Sequence, residues 1–489
     1  MVPADKAQHR LIIRADGSAV IGLGHLVRSM ALAEMVAPDM SVSFVCREIP
    51  EAIAKDIEQR GFHLQQIEAE AAFLSLIKAG DVVLLDGYHF AFEDQWRIKN
   101  QGAMLAVIDD LYLRPLLADL VINQSPGATT TPYQTPPYTR WALGLNYALI
   151  RPAFLQLAQK NRNAQCPPRK VMITFGGADP KKLTEKCAQI LARDPRFEQI
   201  VLVIGAAYGE SPLLKQLARE DDRIIVMSQL QEDKMCSQMA EADLIIAPAS
   251  GVLIEALAAG AHVVCGHYAD NQVKLHQEFK RLNAFVDAED FSEPALISAI
   301  EAVWDRPMTP LRLIDGKSGE RLSKLLKELA QAARLTWQRA DHKHLDITYR
   351  WASDERMRAF SFNNNPIAYT EHQQWFEAKI IDPHSLYLIA YWEDEPMGSI
   401  RFDARADTAI ISYQVDPAYQ GRGFGVSILA EGMRRLTAVF PDIRQMSGRI
   451  MPENKASIAA FCRLGFIQTT GTDEWTLTIN RPLNISSFS

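Results

Sequence analysis

The sequence predicts an α/β chain of three parts: two doubly wound, Rossmann-like halves in tandem over residues 1–155 and 156–335, followed by an α+β domain over 336–489. From residue 11 to about 335, short β-branched runs alternate with helical stretches, the pattern of strand–helix units on a parallel sheet. A Pro/Thr-rich loop at 125–140 and a turn-rich stretch from Ala164 to Pro168 interrupt the alternation, and a fresh series then begins. Past residue 336, three strands at hairpin spacing precede one helix, which is an α+β arrangement.

The first series places strands at Leu11–Arg14, Val42–Cys46, Val82–Leu85, Leu105–Ile108 and Leu120–Ile122. The second places them at Val171–Thr174, Ile200–Ile204, Ile224–Met227, Leu244–Ala247 and His262–Cys265. Tandem halves of this kind leave a crevice between them. A Lys-, Leu- and Ala-rich helix, Leu325–Arg334, closes the second series, and the change of texture at Asp341–Leu345 puts a boundary near 336. The last part reads as strands at Tyr387–Trp392, Gly398–Asp403 and Ala409–Val415, then a glycine-rich turn into a helix.

The 489 residues are 48% hydrophobic and 23% charged, which excludes a disordered, collagen-like or coiled-coil chain. With 52 Lys plus Arg against 59 Asp plus Glu, a net charge of −7 and no basic block, no nucleic-acid partner is expected. The apolar run Leu11–Ile13 is too short for a secretory signal. Pro248, Glu255 and His262 break the stretch Leu244–Gly266, so it reads as strand, helix and strand and not as a membrane span. Cys46, Cys166, Cys187, Cys236, Cys265 and Cys462 show no C-x-x-C spacing, so neither a disulfide framework nor a zinc knuckle is expected. The expectation is a cytoplasmic protein with no membrane partner; its oligomeric state is not legible.

Two motifs carry chemistry. In the third part Val415, Gln420, Gly421, Arg422, Gly423 and Gly425 lie between a strand and a helix. Successive glycines let backbone N–H groups converge at a helix start, which suits a pyrophosphate; a ligand-free tight turn is the alternative. The spacing Gln420-x-x-Gly423-x-Gly425, followed by Asn454-Lys-Ala-Ser457 and Phe461-Cys-Arg-Leu-Gly465-Phe466, resembles the acetyl-CoA loop and closing helix of the GNAT acetyltransferases over about residues 340–480. The resemblance implies acetyl-CoA as cosubstrate, with Val415, Gln420, Gly421, Arg422, Gly423, Gly425, Asn454 and Ser457 around it, and a V-shaped opening beyond the strand that ends near Val415. Asn454 reads equally well as a helix cap. Attack of an amine on the thioester needs an acceptor for the amine proton and a donor for the departing thiolate. Where many family members carry a Tyr donor, this chain has Phe461. Tyr413, Tyr419, Ser457 or a water stands open for the role, as does a domain that binds acetyl-CoA without turnover.

Near the N-terminus the first strand leads into Arg14-x-Asp16 and Gly22-x-Gly24-His25-x-x-Arg28. The two glycines bring backbone close to a ligand, and the positive end of the helix dipole favours a neutral imidazole that can accept a proton. With Asp86-Gly-Tyr88, Asp109-Asp110, Tyr147–Arg151, Gly176-Gly177-x-Asp179 and Asn271-Gln272, this set resembles the nucleotide-sugar hydrolases of pseudaminic acid biosynthesis over most of residues 10–300. The resemblance implies a GT-B-like pair of domains and metal-free release of UDP from UDP-2,4-diacetamido-2,4,6-trideoxy-β-L-altropyranose. His25 is then the general base that activates water at the anomeric carbon. Asp16, Gly22, Gly24, Arg28, Tyr88, Gly177, Ser250, Gly251, Glu255, Asn271 and Gln272 are the expected substrate contacts. Among them, the N–H groups at Ser250-Gly251 suit phosphate, Glu255 the ribose or uracil, and Asn271-Gln272 the acetamido groups or phosphate. Adjacent Asp109 and Asp110 at a strand end point in opposite directions, which argues against a metal, and Asp86 and His89 lack a third ligand nearby in sequence.

The segment Trp351–Asn364, with Pro366-Ile and His372-Gln-Gln-Trp375, resembles the sugar-modifying acetyltransferases. In the implied pathway, acetylation of the 4-amine of UDP-4-amino-4,6-dideoxy-2-acetamido-β-L-altrose precedes hydrolysis, so a fusion of consecutive steps is expected. One alternative is a GT-B glycosyltransferase; a lipid acceptor would call for an exposed apolar and basic patch on the N-terminal half, and the sequence displays none. The other is a hydrolase with a non-catalytic acetyl-CoA-sensing domain.

Overall fold

A computed structural model describes residues 9–479 apart from 19–20, 113–114, 161–166, 178, 206–207, 229 and 306–310. Cys166 and most of the predicted turn Ala164–Pro168 lie outside the described residues. Three sheets organise the chain. The first holds β1 (Arg10–Ala15), β2 (Ser41–Cys46), β3 (His63–Gln66), β4 (Val82–Asp86), β5 (Met104–Ile108), β6 (Leu120–Asn123) and β7 (Arg140–Leu143), in the order 3-2-1-4-5-6-7 and parallel throughout. The second holds β8 (Lys170–Thr174), β9 (Gln199–Ile204), β10 (Ile224–Ser228), β11 (Leu244–Pro248), β12 (His262–Gly266) and β13 (Val286–Asp287), also parallel, in the order 10-9-8-11-12-13. Both are Rossmann-like. In each, the strand order reverses beside the first strand, between β1 and β4 and between β8 and β11. Ligands of such sheets bind outside the carboxyl ends of the strands at that reversal.

Central strands β1, β4 and β5 are buried along nearly their whole length, as continuous Val/Ile/Leu runs of a parallel sheet should be. In these two sheets the three strands that periodicity does not predict, β3 (HLQQ), β7 (RWAL) and β13 (VD), lie at sheet edges and lack such runs. The Pro/Thr-rich loop is therefore not the end of the first sheet: the chain returns after it to add β7.

The third sheet comprises β14 (Thr336–Arg339), β15 (Ser385–Trp392), β16 (Glu395–Arg405), β17 (Thr408–Val415), β18 (Gln445–Arg449), β19 (Ile467–Gln468) and β20 (Glu474–Thr478), in the order 14-15-16-17-18-20-19. All its pairings are antiparallel except β17 with β18. That parallel pairing covers only Thr408–Ile410 against Gln445–Ser447, whereas β17 stays paired with β16 as far as Val415. The strands splay beyond Ile410, which makes the expected V-shaped opening.

Eight helices frame the candidate sites: α1 (Gly24–Val36), α2 (Pro152–Ala158), α3 (Leu183–Ala192), α4 (Gly251–Ala258), α5 (Asp270–Arg281), α6 (Ser318–Arg334), α7 (Phe424–Val439) and α8 (Lys455–Arg463). The amphipathic α6 starts seven residues before the predicted Leu325 and runs back to the first half. Its Leu322, Leu326 and Leu329 join the core formed by Leu26, Met30 and Leu32 of α1 and by β1 and β4. On the other side Ser427 of α7 donates to the Glu328 carbonyl at 3.0 Å, and Arg463 of α8 donates to the Glu328 carboxylate at 2.7 Å. Tyr138, from the Pro/Thr-rich loop, packs into the core of the third part. Among the described residues no helix is long and apolar enough to cross a membrane.

Leu326 is fully buried in the core shared by α1 and α6. Leu326→Ala is expected to cost about 2–5 kcal/mol and to lower the first melting transition in calorimetry; an unchanged thermogram would show that α6 does not hold the parts together.

Candidate active sites

The first site forms where β1 and β4 end. Asp86 closes β4, and its buried carboxylate is the hub. Oδ1 faces His25 Nδ1 at 2.7 Å and accepts from Arg28 Nη2 at 2.6 Å; Oδ2 accepts from Arg28 Nε at 2.8 Å and Ser29 Oγ at 3.0 Å. A carboxylate only accepts, so Nδ1 of His25 carries the proton and Nε2 is left as the acceptor. The neighbouring Arg28 Nη2, 3.1 Å from Nδ1, is a close donor and not a bond partner for it. Burial works to raise the pKa of Asp86, but the Arg28 guanidinium, with help from His25, outweighs it and holds the carboxyl below the usual range.

Arg28, expected to contact substrate, is shared between Asp86 and Asp110, the latter at 2.8 Å. Asp16 is likewise committed. Its Oδ1 accepts from Arg14 at 2.7 Å and from the backbone N–H groups of Arg47 and Glu48 at 2.6 and 3.1 Å, and its Oδ2 lies 3.3 Å from His89 Nε2. Burial raises the Asp16 pKa, yet the His89 and Arg14 contacts outweigh it and hold it low. Asp86 and His89 thus serve these pairings, and no cluster of three or more metal-ligating side chains occurs among the described residues. Asp109 and Asp110 diverge as expected: Asp109 accepts from Tyr112 N, whereas Asp110 accepts from Arg28 and, at 3.0 Å, from Tyr88 Oη.

Gly22 has φ +85° and donates to the Ser18 carbonyl at 2.8 Å, turning the loop into α1, and space stays open around Gly24. Tyr88 stands edge-on to the His25 ring, with centroids 4.7 Å apart. Around His25 the structure reveals a feature that no local sequence pattern signals. Ile21, Leu23 and Val27 are 40%, 38% and 42% exposed on the loop and first turn of α1.

The second half presents its own strand reversal. The Gly176–Gly177 loop follows β8, and Ser250 with Gly251 opens α4 after β11. Side chains added at Gly177 or Gly251 would meet nothing within 4 Å, so there is open space beside the backbone at both turns. Asp179 accepts from Leu183 N and Thr184 N at 2.9 and 2.7 Å and so caps α3. Glu255 is buried within α4. Arg151 donates to both of its oxygens at 2.8 Å, so the carboxylate clamps the two halves at the start of α2. Gln272 Oε1 accepts from Tyr268 N at 3.0 Å; Asn271 is exposed on the first turn of α5. From α5, Lys274 reaches across to the Asp110 carbonyl at 2.7 Å, a contact between residues far apart in the chain.

In the third part the glycine loop lies beside the splay. Gly421 and Gly423 have φ +78° and +88°, conformations that glycine adopts without a Cβ penalty. Gln420 donates to the Val415 carbonyl at 3.1 Å, so it shapes the loop. Arg422 lies over the Tyr419 ring at 5.7 Å. Asn454 accepts from Ser457 N at 3.0 Å, so it caps α8. Tyr413 donates to Ser457 Oγ at 2.9 Å, and a side chain on Gly425 would begin 3.8 Å from the Tyr413 oxygen. Burial pushes the Tyr413 phenol up to about 12, partly offset by the Ser457 bond. Phe461 is buried against Phe466 and Gly448.

Residues 346–466 match the acetyltransferase (GNAT) family. Over 498 aligned residues, 96% of this chain and all of its relative, the chain is 22% identical to an uncharacterised protein of Methanocaldococcus jannaschii. It is 26% identical over 267 residues to the UDP-2,4-diacetamido-2,4,6-trideoxy-β-L-altropyranose hydrolase of Campylobacter jejuni, covering 54% of this chain and 93% of that enzyme. It is also 24% identical over 343 residues to a spore coat polysaccharide biosynthesis protein of Bacillus subtilis, covering 65% of this chain and 97% of that protein.

Because folding depresses the Asp86 pKa, the stability it contributes is present above the unfolded carboxylate value of about 3.9 and is lost as pH falls through the folded value. Asp86→Asn is expected to flatten the acid limb of a melting-temperature-against-pH curve; an unaltered limb would place that stability in other carboxylates.

Proposed function

We propose that this chain, a hydrolase-like half joined to a GNAT acetyltransferase domain, performs two consecutive steps on a nucleotide sugar. Acetyl-CoA acetylates the 4-amine of UDP-4-amino-4,6-dideoxy-2-acetamido-β-L-altrose, and UDP is then hydrolysed from UDP-2,4-diacetamido-2,4,6-trideoxy-β-L-altropyranose. The units are 1–155 and 156–335, a GT-B-like pair with the substrate between them, and 336–489. The Campylobacter relative supports the sugar, and the family match supports acetyl-CoA as cosubstrate.

One observation carries the hydrolytic reading: the Asp86–His25 pair at the strand reversal, with Nε2 left to accept a proton. His25 Nε2 takes a proton from water as its oxygen attacks the anomeric carbon, and the bond from that carbon to the UDP oxygen breaks. The leaving diphosphate gathers charge, for which the backbone N–H groups at Gly177 and Gly251 are suited, Ser250 N being bonded to the Pro248 carbonyl at 2.8 Å. UDP is already a good leaving group, so placing the water and steadying this charge, each worth roughly 10²- to 10³-fold, is the catalyst's main task. Asp86 and Arg28 hold the imidazole in register.

A second reading, a glycosyltransferase that passes the sugar to a lipid hydroxyl, is favoured by exposed Ile21, Leu23 and Val27 beside His25. Purified chain given the diacetamido sugar nucleotide separates the two. UDP release in buffer alone supports hydrolysis, and release only with a lipid acceptor supports transfer.

Two variants assign the sites. His25→Asn is expected to abolish UDP release while leaving CoA thiol release intact; an unchanged UDP rate removes His25 as the base. Gly423→Val is expected to do the reverse, because φ is +88° there and an added Cβ would lie 3.1 Å from Glu328 Cγ. Retention of both activities would remove the pyrophosphate assignment.

A further inference from the structure

Transfer of an acetyl group from a thioester leaves a thiolate that must gain a proton. The Tyr donor of many GNAT members is replaced by Phe461, and the Phe461 ring is enclosed by Gly448 and Phe466. Tyr419 packs edge-on against Phe424, with centroids 6.0 Å apart, under Arg422. A different hydroxyl system stands at the splay. Tyr413 lies on the stretch of β17 that has lost its β18 partner, on the face that meets α7 and α8. Its hydroxyl donates to Ser457 in the first turn of α8. Gly425, in the first turn of α7, leaves the third side of that hydroxyl uncrowded. Ser457 accepts from Tyr413, so its own proton is free to go elsewhere, while Asn454 anchors its backbone N–H.

We propose that Ser457 is the catalytic proton donor to the CoA sulfur and that Tyr413 is the positioning residue behind it, taking over the role that Phe461 cannot fill. The proposal rests on the acetyl-transfer reading of the third part. The amine lone pair forms the N–C bond at the thioester carbonyl, and collapse of the tetrahedral adduct breaks the C–S bond. The electron pair leaves on sulfur, which takes the Ser457 hydroxyl proton as the Tyr413 phenol resupplies Ser457. Water takes the proton released by the ammonium and returns one to Tyr413. The net products are the amide and the free CoA thiol, with no oxidant, reductant or metal required. The Tyr413 phenol, pushed up to about 12 by burial, stays protonated across the working range and so remains a donor.

The test uses the full chain with acetyl-CoA and the UDP-4-amino sugar. CoA thiol release gives kcat, and isothermal titration gives the acetyl-CoA Kd. Ser457→Ala and Tyr413→Phe are each expected to lower kcat by roughly 10²-fold while the Kd stays within about twofold. Ser457→Thr, which keeps a hydroxyl, is expected to retain most of the activity. The double variant is expected to be no slower than Ser457→Ala, because the two groups act as one unit. Wild-type kcat in Ser457→Ala overturns the proposal, as does a parallel loss of kcat and acetyl-CoA affinity in both Ser457→Ala and Ser457→Thr. A wild-type chain that binds acetyl-CoA but releases no thiol removes the acetyl-transfer reading, and the proposal with it. That outcome is distinct from a wild-type chain that turns over and variants that do so equally well.

Discussion

Burial of α6 fixes where everything else stands. Its leucines complete the core under α1 and the first sheet, and its Glu328 side meets α7 and α8 of the third part. The seam it forms is not simply greasy. Arg140, at the start of β7, is fully buried, and its Nε and Nη1 have no hydrogen-bond partner among the described residues. Burial lowers its pKa, and Glu328 is the foremost carboxylate opposing that shift. Such a buried, imperfectly paired charge costs stability, yet it admits few alternative dockings, since sliding the seam would strand Arg140 farther from Glu328.

The same glutamate borders the glycine loop of the third part. A Cβ on Gly423 would lie within 3.2 Å of a Glu328 oxygen, so the loop's shape depends on a residue of the preceding helix. In the first half, by contrast, the decisive charge is inside the site. Asp86 gathers His25, Arg28 and Ser29, and Arg28 relays the network to Asp110 and Tyr88. Arg28 and Asp16 therefore hold the shape of the loop around His25. The Arg151–Glu255 and Lys274–Asp110 contacts join the two halves.

Residue order alone specifies the tandem parallel units, their central strands to within one or two residues, the glycine turns and His25 at a helix start. All of these are local: they depend on periodicity within one element or on glycine at a single turn. Edge strands β3, β7 and β13 escape that reading because short or polar segments carry no periodic signal. The partners, by contrast, come from the three-dimensional arrangement. Asp86 meets His25 across 61 residues, Arg151 meets Glu255 across 104, and Tyr413 meets Ser457 across 44. Strand order and helix docking set those pairings, and the same residue types read in isolation fit a metal ligand, a ribose acceptor or a cofactor contact equally well.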